Sequence, residues 1–91
     1  MVHAKVTIKN PTGLHLRPAG QFYESAVKFS SKIMVEKTSK NKIISANAKS
    51  VLSILGACIK SGDEITITCD GEDEDEALRE MARIVEEGLG E

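Results

Sequence analysis

The chain has 91 residues, 41% of them hydrophobic, 3% aromatic and 29% charged, with a formal net charge of −2. That length implies a single domain over residues 1–91, because two cores would each be too small; a chain of this size buries roughly 60–65% of its unfolded surface. The acidic balance argues against general nucleic-acid affinity, which rests on neutralising phosphates with a basic surface, and no run reaches the ~18 apolar residues of a membrane span.

Val2, Ala4, Val6 and Ile8 alternate with His3, Lys5, Thr7 and Lys9, the pattern of a half-buried strand that leaves His3 on the solvated face. Asn10-Pro11-Thr12-Gly13 supplies turn chemistry. From Pro18 the period changes: Ala19, Phe22, Tyr23, Ala26 and Val27 make one face of a helix ending near Lys28. Lys32 to Lys37 reads as a second strand, Thr38-Ser39-Lys40-Asn41 as a turn, and Lys42 to Ala46 as a third strand. A shorter helix is expected from Ala48 or Ser50 to Ile59, stopped near Ser61-Gly62, and Glu64 to Asp70 alternates again as a fourth strand. The last helix begins near Asp73, where acidic residues suit the positive end of the helix dipole. It carries Ala77, Leu78, Met81, Ile84 and Val85 inward and ends at Gly88, a natural residue past a helix C-terminus.

The order is βαββαβα. With the fourth strand between the first and second, every pairing is antiparallel, and the helices cover one face. The expected class is therefore α+β, an open-faced sandwich of a four-stranded antiparallel sheet under three helices. Lys32, Lys37, Lys40 and Lys42 read as a solvated hairpin edge that discourages strand-to-strand aggregation. Cys58 and Cys69 lack CxxC spacing and a nearby histidine, which argues against a metal site; both are expected to be reduced, buried, small hydrophobes. The N-terminus shows no signal-peptide apolar region, so a cytoplasmic protein is expected.

The chemistry concentrates in Gly13-Leu14-His15-Leu16-Arg17-Pro18-Ala19. Gly13 opens turn conformations closed to other residues, and Pro18 suits the first turn of a helix, where its missing N–H costs nothing. His15 then lies at or just before the helix N-terminus, where unpaired N–H groups and the dipole favour an anion. Arg17 adds a permanent cation whose fork matches phosphate oxygens. A neutral imidazole is a good nucleophile near pH 7, and positive surroundings disfavour its protonation. The arrangement suits a histidine that accepts a phosphoryl group and passes it on, although a histidine between two leucines is more often structural. Hydrolysis is not indicated, since no carboxylate, second histidine or activated serine is near in sequence.

The second helix carries Val51, Leu52, Ile54, Leu55, Cys58 and Ile59, too many apolar residues for one buried stripe. Some must face out, as interaction sites commonly do, unless the helix is wedged beneath a loop. Ser50 at its start is a routine helix cap.

These residues resemble HPr, the histidine-containing phosphocarrier family of the bacterial sugar phosphotransferase system. The resemblance runs through Gly13 to Ala19, then Asn47-Ala48-Lys49-Ser50-Val51-Leu52, then Gly62-Asp63-Glu64-Ile65-Thr66-Ile67, and the ending Glu87-Gly88-Leu89-Gly90-Glu91. It implies that His15 takes a phosphoryl group on Nδ1 from phosphorylated enzyme I and delivers it to a cysteine or histidine of a sugar-specific enzyme II. Arg17 would balance the phosphate charge. The chain would be a stoichiometric carrier without turnover of its own, with no cofactor and no metal. The resemblance also places a regulatory phosphoserine at Ser50, a target of HPr kinase/phosphorylase with a catabolite-control regulator as partner. The implied docking face joins Leu16, Gly20, Gln21 and Glu24 to Val51, Leu52 and Leu55 on a monomer.

The stretch between Val35 and Asn47 is a few residues longer than the family pattern, and the extra length is expected to extend the second hairpin away from His15. An alternative reading is a purely regulatory binding module acting through Ser50. A nucleic-acid module is disfavoured by the lack of a basic face and stacking aromatics.

Overall fold

The computed structural model describes residues 1–89, and of Ser39 only the backbone; Gly90 and Glu91 of the quoted ending lie outside the described residues. The elements are β1 (Val2–Thr7), α1 (Leu16–Ala26), β2 (Lys32–Ser39), β3 (Lys42–Asn47), α2 (Val51–Gly56), β4 (Glu64–Asp70) and α3 (Glu74–Glu86). The strands lie in the order β1-β4-β2-β3 with every pairing antiparallel, the topology expected from the sequence.

The register explains why the alternating residues meet. Val6 sits opposite Ile65, Ala4 opposite Ile67, and Ile67 opposite Val35, which itself faces Ala46. Because side chains alternate across a strand, these rows share the inner face, where Phe22 of α1, Ile54 of α2 and Met81 and Val85 of α3 complete one hydrophobic cluster. The opposite face carries the strands' polar partners, such as Lys5, Thr66 and Glu36 in one cross-strand row. Among the described residues no helix is long and apolar enough to cross a membrane.

Both ends of α3 follow from local chemistry. Glu74, Asp75 and Glu76 occupy its first turn, complementing the dipole. At the other end Gly88 takes φ +90, with its N–H on the Val85 carbonyl at 3.1 Å and the Leu89 N–H on the Ile84 carbonyl at 2.9 Å. This pairing satisfies the last carbonyls through a left-handed residue and seats Leu89 in the core.

Asp73, the residue before α3, turns its carboxylate away from its own helix. It accepts from the Ser30 and Ser31 N–H groups at 2.9 Å each and from the Ser31 hydroxyl, joining the α1–β2 connection to the head of α3. The Ser31 hydroxyl, followed by the Ser30 N–H, holds the carboxyl at about 2, below its ordinary value of 3.8. A carboxyl depressed in the folded state stabilises fully above its unfolded value and loses that contribution as pH falls through the folded one. Stability is therefore expected to drop between about pH 4 and pH 2. Thermal melts should show a shallower drop over that window for Asp73→Asn; parallel curves would contradict it.

Four sequence expectations change. The second helix ends at Gly56 rather than Ile59: after it Cys58 adopts φ +53, a left-handed conformation that stops propagation. Cys58 is consequently exposed, whereas Cys69 is buried on the inner face as expected, its thiol pushed up to about 11 chiefly by burial. The β2–β3 hairpin is long, with both strands running to a two-residue turn of Lys40 (φ +49) and Asn41 (φ +67), the doubly left-handed geometry that suits a strand twist. Because β1 and β2 are both antiparallel to β4, the hairpin tip lies at the His15 end of the sheet, not away from it. Lys32, Lys40 and Lys42 are exposed as a solvated edge should be, but Lys37 turns inward, its side chain only 11% exposed.

Candidate functional site

The turn that presents His15 is assembled from the segment after β1 and the loop before β4. After β1, the Ile8 N–H bonds the Asp63 carbonyl at 2.9 Å and the Ile8 carbonyl takes the Gly62 N–H at 2.8 Å. The buried Asn10 side chain donates from Nδ2 to the Gly13 carbonyl at 2.6 Å, while the Gly13 N–H returns to the Asn10 carbonyl at 3.2 Å. Gly13 is held at φ +66, and a Cβ there would fall 2.7 Å from the Ile59 carbonyl oxygen and 2.8 Å from the Lys60 Cα. Only glycine meets both demands. The Leu14 N–H then bonds the Ile59 carbonyl at 2.9 Å and its side chain enters the core. His15 follows in extended conformation (φ −76, ψ −175) as the residue capping α1.

The imidazole makes no capping hydrogen bond to the helix it precedes, and His15 is exposed. The first intrahelical bond runs from the Ala19 N–H to the His15 carbonyl at 2.8 Å. Leu16 and Arg17 supply the N–H groups that precede it, and Pro18 supplies none, so its ring costs no bond. An anion bonded to His15 would meet these amides and the positive end of an eleven-residue helix. Arg17 is exposed and makes no ion pair among the described residues.

His15 shares an open cleft of about 220 Å³ with Thr12, Leu14, Leu55, Cys58 and Lys60. Leu55 brings α2 to the histidine turn, so the two sequence segments that stood out are neighbours. On α1, Pro18, Ala19, Phe22 and Ala26 are buried. Leu16, Gln21 and Glu24 face solvent with Gly20 half-buried among them. On α2, Leu52 is 82% exposed and Leu16 on α1 is 70% exposed, while Val51 and Leu55 are half-buried and Ile54 lies in the core. The second helix is therefore not wedged beneath a loop.

Ser50 lies at the opposite end of α2 from the cleft. Its Oγ accepts the Ser53 N–H at 3.2 Å, a helix cap, and the Ser53 hydroxyl in turn accepts the Asn47 N–H at 2.9 Å. Ser50→Ala should cost about 1 kcal/mol through the lost cap. A urea titration checks this, and an unchanged midpoint would contradict it.

Several supporting residues escaped the sequence reading. Lys49 donates from Nζ to the Phe29 carbonyl at 2.6 Å, tying the start of α2 to the end of the α1 connection. Lys37 donates to the Cys58 carbonyl at 2.7 Å and to Asp63 Oδ2 at 3.0 Å. Asp63 Oδ2 also accepts the Lys60 N–H at 2.8 Å, and that N–H, ahead of Lys37, holds the Asp63 carboxyl below its ordinary range. The signal for Lys37 was its place on the inward side of the alternation Ile33, Val35, Lys37.

The family model described as the PTS HPr component phosphorylation site matches residues 2–87. Among curated relatives, the HPr-like protein Crh of Bacillus subtilis is 39% identical over 87 residues, covering 96% of this chain and 98% of its own. Phosphocarrier protein HPr of Lysinibacillus sphaericus is 38% identical, covering 89% of this chain and 88% of its own. Of solved structures, HPr-C-His of Thermoanaerobacter tengcongensis superposes with a TM-score of 0.89 at 40% identity, over 100% of this chain and 98% of that one. An HPr from the same organism, 38% identical, with each chain fully covered and a TM-score of 0.74, was solved as a dimer. Matched across nearly its whole length in both sequence and topology, the chain belongs to the HPr family of the phosphotransferase system.

Proposed function

We propose that the protein is a phosphocarrier that accepts a phosphoryl group on His15 from phosphorylated enzyme I and passes it to sugar-specific enzymes II. The observation that carries this reading is the exposed imidazole, unused as a cap, at the N-terminus of α1 two residues before an exposed Arg17. In the forward step the lone pair of neutral Nδ1 forms the N–P bond while the bond to the donor breaks, its electrons leaving with the donor. Nε2 keeps its proton, and the phosphate charge falls on the Arg17 guanidinium and the first-turn amides. In the second step the N–P bond breaks toward a cysteine or histidine of enzyme II. The chain is thus a carrier consumed and regenerated stoichiometrically, not an enzyme, and it works in the cytoplasm as a monomer.

Docking uses the face formed by Leu16, Gly20, Gln21 and Glu24 with Val51, Leu52 and Leu55, in which the apolar Leu16 and Leu52 are largely exposed. Ser50, on the same helix, is the regulatory site for HPr kinase/phosphorylase. A phosphate there adds about −1.5 to −2 charge beside that face, which repels an acidic partner and recruits a basic one, such as a catabolite-control regulator.

Incubation with phosphoenolpyruvate and enzyme I should yield an acid-labile, base-stable phosphate that leaves when an enzyme II is added. A second reading is a regulatory module acting through Ser50 alone, since two similar solved structures are described as the Bacillus subtilis catabolite repression protein Crh. That reading wins if HPr kinase and ATP label Ser50 while enzyme I leaves His15 unmodified.

A further inference from the structure

Lys37 is an inward lysine at a place where the sheet runs out. Glu36 is the last β2 residue paired with β4, opposite Thr66, and beyond it the hairpin continues on β3 alone. Ile33 and Val35 precede Lys37 on the inner face and are buried. The lysine stem follows them inward and its ammonium ends on the loop between α2 and β4. Its two acceptors bracket that loop: the Cys58 carbonyl at 2.7 Å and Asp63 Oδ2 at 3.0 Å. Between them the loop is closed by the Lys60 N–H on the same Asp63 oxygen at 2.8 Å.

The histidine turn rests on this loop. The Ile59 carbonyl takes the Leu14 N–H at 2.9 Å, and Gly13 packs so closely on Ile59, Lys60 and Ser61 that no Cβ fits between them. His15 is the next residue along, and its own side chain has no cap bond to orient it. What fixes the direction of the imidazole is therefore the backbone of Gly13 and Leu14, and what fixes that backbone is the 58–63 loop. We propose that Lys37 is a positioning residue for His15: reaching across from the extended hairpin, it anchors residues 58–63 and thereby sets the platform that presents the imidazole. A lysine is suited to this because one ammonium has three donors and can hold two acceptors at once. The inference rests on His15 being the phosphoryl acceptor.

Single-turnover transfer from phosphorylated enzyme I to wild type, Lys37→Met and Lys37→Arg tests it, with melting curves to verify folding and Leu14 amide exchange as the local readout. Methionine keeps the stem and removes the donors. Lys37→Met should transfer about tenfold more slowly at saturating enzyme I, with KM within about twofold, because displacement of a reacting group by even a fraction of an ångström is costly. Its Leu14 amide should exchange faster, and Lys37→Arg should recover most of the rate. A folded Lys37→Met with wild-type rate, a change confined to KM, or a loss that arginine does not recover overturns the inference. If Lys37→Met fails to fold, Asp63→Asn removes the charged acceptor instead and should slow transfer several-fold; an unchanged rate there overturns it equally. A wild type that takes no label overturns the phosphocarrier reading itself, whereas labelled wild type with an equally fast Lys37→Met overturns this inference alone.

Discussion

His15→Ala should take no phosphate from phosphorylated enzyme I while folding as well as the parent protein. The side chain is exposed and contributes no capping bond, so its removal should change unfolding free energy by less than about 0.5 kcal/mol. Loss of label with an intact melt separates a nucleophile from a structural histidine, which would show the reverse. His3, the other histidine, is exposed on the solvent face of β1 opposite Thr68. It should remain unlabelled in the variant.

Gly13→Ala should be the most damaging single methyl group on this face. Two penalties combine at that position. A φ of +66 costs an alanine about 1–2 kcal/mol in the left-handed region. The new Cβ would also stand 2.7 Å from the Ile59 oxygen, a backbone atom that cannot swing aside as a side-chain end can. Relief requires the turn and the 58–63 loop to separate, breaking the bond from Leu14 to Ile59. A loss of about 3 kcal/mol in chemical denaturation is expected, with transfer to His15 slowed at least tenfold in the fraction that remains folded. A variant as stable and as fast as wild type would show that the turn does not depend on the close approach.

The same two positions show which parts of the molecule were legible in the sequence. The alternation in β1 and β4 and the helical period of α1 and α3 translate directly into buried faces, because those patterns report a single large core. The antiparallel order followed from setting the fourth strand between the first and second, one arrangement in which every pairing is antiparallel. His15 at the helix end was legible because Gly13 and Pro18 punctuate the chain on either side of it. The end of α2 was not, since Cys58 takes a left-handed conformation normally advertised by glycine or asparagine. Lys37 was hidden because a lysine in an alternating strand ordinarily reads as solvated. Its acceptors lie 21 and 26 residues away in sequence, one of them a main-chain carbonyl that no side-chain motif records. Gly13 was recognisable as a turn residue, but the reason it must be glycine is a contact with a loop some 46 residues later.

The most direct test of the central claim is phosphorus NMR of the protein after reaction with phosphoenolpyruvate and enzyme I, using histidine labelled with nitrogen-15 in the ring. A single phosphoramidate coupled to Nδ1 of His15, absent from His15→Ala and discharged by enzyme II, is the expected result. A phosphate ester on Ser50, or no phosphorus signal on any histidine, would contradict it.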